Sequence, residues 1–210
     1  GVIAGGRLGY MFFYNTDKWL ADPAMLLRIW EGGMSFHGGL IGVAIAIFIY
    51  ARKHRVSFLT LTDFAVPLVP TGLFFGRMGN FIGQELYGRP TDVPWGMLFP
   101  SDPTQLPRHP SQLYEALLEG LVLFLIISWF ARKPRLAGEI TGLFLVLYGC
   151  FRFMVEFVRE PDAQFAGQTA MIESLNWMTR GQALCIPMVL LGLWFMRKTM
   201  QRLMAKSATN

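Results

Sequence analysis

The sequence predicts an all-α, polytopic integral membrane helical bundle, and three observations carry that prediction. Of the 210 residues, 53% are hydrophobic and 16% charged, well short of the roughly 25% charged residues of a soluble domain. The apolar residues gather into runs approaching the ~20 residues that cross a bilayer. Lysines and arginines concentrate on alternate connections between those runs, as the positive-inside rule describes. A mean hydropathy of +0.38 with 18 Phe, 12 Met and 22 Gly suits lipid-facing helices packed through small residues. This composition excludes disorder, collagen-like repeats, a disulfide scaffold and an ordinary cytosolic enzyme. The net charge of +5 is not gathered into one basic patch, so nucleic acid is not an expected partner.

Six spans are expected. Residues 1–14 open inside an apolar run without an initiator Met, so this span reads as clipped and the chain as lacking N-terminal sequence. The others cover 38–51 (extending back through Met34-Ser35-Phe36), 63–82, 111–131, 138–158 and 181–197. The connection after the second span carries Arg52, Lys53 and Arg55 and no acid. The connection before the fifth carries Arg132, Lys133 and Arg135, and the tail carries Arg197, Lys198, Arg202 and Lys206, again without acids. These face the cytoplasm, so the C-terminus is cytoplasmic. The opposite connections, 15–36, 83–110 and 159–180, are long, mix both charges, and hold Trp19, Trp30, Trp95 and Trp177. Amphipathic segments at the outer interface are expected there. Nothing marks a second soluble domain, so residues 1–210 read as one integral membrane domain, truncated at its N-terminus. Cys150 and Cys185 lie in apolar runs and read as buried thiols rather than a disulfide.

Three arginines fall inside predicted spans: Arg7, Arg77 and Arg152. An arginine at the bilayer centre costs at least ~2.5–3.5 kcal/mol, so each needs a partner or a polar cavity. One reading is an ion pair that glues helices. The intramembrane acids look too few and scattered to match three arginines, or to form a proton relay, which favours an anionic ligand. Guanidinium is well shaped for that, because it grips phosphate through two parallel hydrogen bonds. Tyr148, Arg152 and Glu156 at i, i+4 and i+8 share one helix face. Arg77 and Asn80 at i, i+3 are flanked by Gly76 and Gly79, and Arg7 and Tyr10 repeat that spacing beside Gly5, Gly6 and Gly9. A phospholipid head group is the ligand these features point to.

His37, in Ser35-Phe36-His37-Gly38-Gly39, stands where a span meets the outer interface. As a lone histidine it is either a hydrogen-bonded structural residue or a base able to take a proton from a thiol or hydroxyl. His109 precedes a span for which Ser111 is the expected N-cap, and His54 lies in a basic loop. No metal-ligand spacing, P-loop or Gly-x-Ser-x-Gly elbow is present in the sequence. A channel or transporter would be expected to show paired repeats or broken helices, and neither is visible. A lipid-binding structural protein would account for the arginines but gives no reason for His37.

Gly76-Arg77-Met78-Gly79-Asn80-Phe81-Ile82, followed by Glu85-Leu86-Tyr87-Gly88-Arg89, resembles the signature of bacterial prolipoprotein diacylglyceryl transferases. So do Gly6-Arg7-Leu8-Gly9-Tyr10, Gly33-Met34-Ser35-Phe36-His37-Gly38-Gly39, Arg108-His109-Pro110-Ser111-Gln112-Leu113-Tyr114-Glu115, and Arg152 through Asp162. The likeness runs in order along essentially the whole chain. It departs at Gly83-Gln84, where the family usually reads Asn-Gly. The resemblance implies about seven spans at full length, in the bacterial inner membrane, with an active site toward the outer leaflet. It also implies transfer of a diacylglyceryl group from phosphatidylglycerol to the lipobox cysteine of a preprolipoprotein, forming a thioether and releasing glycerol phosphate, without metal or cofactor. In that frame Arg77 and Arg152 hold the phosphate and His37 deprotonates the thiol. Arg7, Tyr10, Asn80, Glu85, Gly88, Tyr148 and Glu156 would bind or shape the substrates.

Overall fold

A computed structural model describes residues 1–160 and 178–207. The helices are α1 (Val2–Tyr14), α2 (Thr16–Ala21), α3 (Phe36–His54), α4 (Phe58–Ile82), α5 (Ser111–Phe130), α6 (Glu139–Val155) and α7 (Arg180–Ser207). All but α2, which falls in the first outer connection, cover the expected apolar runs. Among the described residues, α4 and α5 are the two helices long and apolar enough to cross a membrane. The chain packs into two compact units, Gly1–Thr62 and Asp63–Asn210.

In the first unit α1 lies against α3 through glycines. A Cβ on Gly9 would come within 2.7 Å of the Gly38 Cα, a backbone approach that only small residues allow. Ser35 caps α3, its hydroxyl accepting from Gly38 N at 3.2 Å. Between the two helices, α2 and 3₁₀ turns at Pro23–Leu26 and Ile29–Glu31 expose Leu20, Leu27, Ile29 and Trp30.

In the second unit the core is Val66, Leu123 and Ile127, with Leu143, Phe144, Leu147 and Tyr148 packed against it. Helix α4 tightens into a 3₁₀ turn at Val66–Leu68, where Pro67 and Pro70 remove backbone donors. Asp63 ties α4 to the start of α6. Its carboxylate accepts from Gly138 N at 2.7 Å, Thr141 N at 2.8 Å and the Thr141 hydroxyl. Helix α7 opens with a reciprocal capping box: Gln182 Oε1 accepts from Thr179 N, and Thr179 Oγ1 from Gln182 N. It meets α6 closely, since a Cβ on Gly142 would sit 2.9 Å from the Gly192 carbonyl. Both cysteines are free. Cys185 is buried as expected, and Cys150 is exposed.

Helix α5 has the polarity of a lipid-solvated helix. Leu117, Leu121, Leu125 and Trp129, four residues apart, are exposed, while Glu115 and Glu119 are buried on the opposite side with Leu123 and Ile127. Apolar groups outward and carboxylates inward is the reverse of a water-soluble helix, and it is the arrangement a bilayer favours.

The 83–110 connection, where an amphipathic segment is expected, contains no helix. It is tied by isolated antiparallel bridges: Gly88 with Arg159, and Arg108 with both Pro90 and Met97. Phe99 is buried under it, stacked on Tyr87 at 5.2 Å and edge-on to Phe81. The buried pair Arg108–Asp102 clamps the loop. Arg108 also reaches the Gly88 carbonyl and Glu160, each at 3.3 Å, and lies over the Tyr87 ring. Ser111 is not the N-cap of α5, a place taken by Pro110. Its hydroxyl donates instead to the Leu86 carbonyl at 3.0 Å. The third outer connection, with Asp162, Glu173 and Trp177, lies mostly outside the described residues.

Candidate active site

The second unit gathers six charged side chains into one cluster. Arg77 comes from α4, Glu115 and Glu119 from α5, Arg152 from α6, and Glu156 and Arg159 from the turn that ends α6. Glu115 is the hub: it pairs with Arg77 Nε, with Arg152 Nη1 at 3.3 Å and with Arg159 Nε at 3.4 Å. Arg152 Nη2 lies 3.2 Å from Glu156 Oε2, and Arg152 Nη1 lies 3.8 Å from Glu119 Oε1. Glu156 also accepts from the Thr179 hydroxyl at 3.0 Å. Gly181 leaves room for that carboxylate, because a Cβ there would fall 2.6 Å from it. Two carboxylates of the cluster, Glu115 and Glu119, are almost wholly buried.

This overturns the expectation of arginines without matching acids. Glu115, Glu119 and Glu156 are neither scattered nor too few, and both Arg77 and Arg152 are paired. The geometry explains how such a site persists in an apolar setting: each charge is compensated within a few ångströms.

Of the expected residues of the second unit, Arg77, Arg152 and Glu156 lie in the cluster and Asn80 touches it. Asn80 Oδ1 accepts from Arg77 Nη1 at 3.4 Å, so Asn80 and Glu115 orient the same guanidinium. Tyr148 stacks in parallel on Phe144, with ring centroids 5.7 Å apart, one turn before Arg152. Glu85 follows α4 with an exposed side chain, and its carbonyl takes the buried Gln112 amide at 2.7 Å. Gly88 is sterically required. Its N–H donates to His109 O at 2.8 Å, and a Cβ there would stand 2.8 Å from the His109 side chain. Through the Gly88–Arg159 bridge and the bond from Arg89 N to Val158 O at 2.9 Å, the loop fixes the backbone that presents Arg159 to Glu115.

The sequence departure at 83–84 also has a structural account. Gln84 has φ +57°, the left-handed region that a glycine occupies without strain. Here the glutamine compensates: its side-chain Oε1 accepts from Ser101 N at 3.0 Å, and its main-chain carbonyl accepts from the Ser101 hydroxyl at 2.7 Å.

In the first unit, Arg7 is buried and its guanidinium donates to carbonyls of one loop: Met25 at 2.5 Å, Arg28 at 2.7 Å, Gly33 at 3.2 Å, Leu26 at 3.3 Å, and Gly32. The Tyr10 ring covers Gly33 so closely that a Cβ there would lie 2.6 Å from the ring Cζ. Ser35 N donates to Gly6 O at 2.9 Å. Arg7 and Tyr10 thus hold the 25–35 segment, which leads into α3. His37 is the second residue of α3 and is exposed.

The model of the prolipoprotein diacylglyceryl transferase family matches residues 1–198. The chain belongs to this family. It is 59% identical over 192 residues to the phosphatidylglycerol–prolipoprotein diacylglyceryl transferase of Teredinibacter turnerae, covering 91% of this chain and 65% of that protein. It is 54% identical to the enzyme of the same name from Pseudomonas fluorescens, covering 99% of this chain and 76% of that one. A third, from Azotobacter vinelandii, is 56% identical over 91% of this chain and 71% of its own length. This chain therefore spans about two thirds to three quarters of these transferases.

Sequence reasoning missed Glu119 altogether, and quoted Glu115 and Arg159 only as parts of motifs. The signal that finds the two glutamates is their i, i+4 spacing inside an otherwise apolar run, which places both on one helix face.

Proposed function

We propose that this chain transfers the diacylglyceryl group of phosphatidylglycerol to the thiol of a preprolipoprotein lipobox cysteine, the first step of bacterial lipoprotein maturation. The observation that carries the proposal is the buried cluster on α4, α5 and α6, where two arginine forks meet inside a helix bundle with an apolar exterior. The names of the related enzymes supply the substrates. In the reaction, the cysteine sulfur attacks the glycerol carbon that carries the phosphate, a C–S bond forms, and the C–O bond to phosphate breaks. Negative charge grows on the leaving glycerol phosphate, and Arg77 and Arg152 stabilise it with preorganised donors. His37 takes the thiol proton, since thiolate is the nucleophile. Asn80, Tyr148 and Glu156 orient the arginines, Glu85 and Gly88 shape the loop beside them, and Arg7 and Tyr10 shape the segment leading to His37.

In this reading the six helical runs cross the inner membrane as one integral domain, with an amphipathic first outer connection. The site opens toward the outer leaflet, where exported prolipoproteins arrive, and the basic tail stays cytoplasmic. Purified protein mixed with phosphatidylglycerol and a lipobox peptide tests the proposal. The peptide should gain a diacylglyceryl mass and release glycerol phosphate with wild type, and neither should occur with Arg152→Ala. Absence of a mass gain with folded, lipid-binding wild type would leave only a lipid-binding role.

A further inference from the structure

We propose that Glu119 is the residue that takes up a proton when the anionic lipid head group binds, so that lipid binding and protonation of this carboxylate are one linked event. The inference rests on the transferase reading above and adds a role for a residue which that reading leaves unused.

The argument starts from charge. The connected cluster holds Arg77, Arg152 and Arg159 against Glu115, Glu119 and Glu156, so with all six ionised it is neutral. A phosphodiester brings one further negative charge into this buried site. An uncompensated charge in an apolar interior is far costlier than its neutral form, so the group takes or gives a proton instead. One carboxylate must therefore accept a proton as the phosphate claims the arginine donors.

The geometry identifies which one. Glu115 is paired with three arginines, and Glu156 has Arg152, Arg159 and the Thr179 hydroxyl. Glu119 is fully buried, neither of its oxygens has a hydrogen-bond partner among the described residues, and its one ion pair spans 3.8 Å. It gives up least on being neutralised. Among the described residues, the charged or titratable groups that face it are Arg77 from α4, Glu115 on its own helix, Tyr148 and Arg152 from α6, Arg159 beyond α6, and Cys185 from α7. Glu119 also sits in the middle of a π-helical stretch, Ala116–Val122, a backbone irregularity that helices frequently carry at functional sites. The proton comes from bulk solvent and is bound at a Glu119 carboxylate oxygen while the phosphodiester keeps its single negative charge.

Calorimetric titration of the purified protein with phosphatidylglycerol, without peptide, in buffers of different ionisation enthalpy counts the protons. Wild type should take up a proton with the lipid, approaching one per lipid on the alkaline side of neutral. Its lipid affinity should fall toward tenfold per pH unit on the alkaline side, the slope of a one-proton linkage. Glu119→Gln, a neutral mimic of the protonated form, should bind the lipid with no proton uptake and with a flat pH profile. Wild type that binds lipid without proton uptake overturns the inference and leaves the transferase reading standing. So does a folded Glu119→Gln variant that keeps the wild-type slope. Wild type that binds no phosphatidylglycerol at any pH removes both. The wild-type proton count decides the matter even where the variant does not fold.

Discussion

Glu115 Oε1 and Arg152 Nη1 lie 3.3 Å apart, and this buried contact joins α5 to α6. Arg77 and Arg159 reach the same carboxylate, so its loss takes a partner from three buried guanidinium groups, of which Arg152 and Arg159 keep Glu156. Removing one partner of a buried pair typically costs about 3–5 kcal/mol. Glu115→Ala should therefore lower the thermal stability of the detergent-solubilised protein by an amount of that order and abolish transfer. Glu115→Gln keeps the shape and some hydrogen bonding, and should be the milder of the two. Equal and small thermal shifts for both variants would show that the α5–α6 joint is apolar packing alone.

Arg77 is held by Glu115 on one side and Asn80 on the other, which leaves the plane of its fork defined. Arg77→Lys keeps the charge and loses both the fork and this orientation. The loss of a charge-assisted hydrogen bond worth about 1.5–3 kcal/mol corresponds to a roughly 10- to 100-fold fall in kcat/KM for diacylglyceryl transfer. Unimpaired turnover by the lysine variant would rule out bidentate phosphate recognition at this position.

The helices and two of the site's three arginines were legible in the sequence for a simple reason. Apolar runs and charges inside them depend on local composition, so Arg77, Arg152 and the Tyr148–Arg152–Glu156 face could be read without knowing what packs where. Two of the three acids were not legible. Glu115 and Glu119 become partners of Arg77 and Arg152 only once α5 lies against α4 and α6, a tertiary fact that span lengths do not encode. The 83–110 loop was obscured for a different reason. Its order comes from isolated bridges and the Asp102–Arg108 pair, contacts between residues with no periodic pattern. The positioning of Arg7 against five loop carbonyls was equally hidden, because backbone acceptors are invisible to a reading of side-chain types.

At Gln84 two small effects compete, and substitution separates them. The left-handed backbone, φ +57°, costs a non-glycine residue about 1–2 kcal/mol, while the side-chain bond to Ser101 N returns about 0.5–1.5 kcal/mol. Gln84→Ala keeps the strain and loses the bond, so it should destabilise by about 1 kcal/mol. Gln84→Gly loses both and should stay within a few tenths of wild type. Chemical or thermal denaturation of the two variants in the same detergent checks the order. A glycine variant no more stable than the alanine one would show that the backbone at this position carries no strain.

Asp102 gives the loop a pH dependence whose sign follows from its partners. The Arg108 hydrogen bond, aided by the hydroxyl and backbone N–H of Thr104, holds its carboxyl down at about 2, against an ordinary value of 3.8. A group whose folded value is depressed contributes stability that is present above its unfolded value and lost as the folded form is protonated. The clamp should therefore be intact above about pH 4 and weaken as the pH falls from there toward 2. Hydrogen exchange, corrected for intrinsic rates, should show the Met97 and Arg108 amides, which bond each other's carbonyls at 2.9 Å, losing protection across that window. In Asp102→Asn their protection should already be reduced at pH 7, with little further change between pH 4 and 2. Wild-type protection that is constant from pH 7 to 2 would mean that the backbone bridges hold the loop without the ion pair.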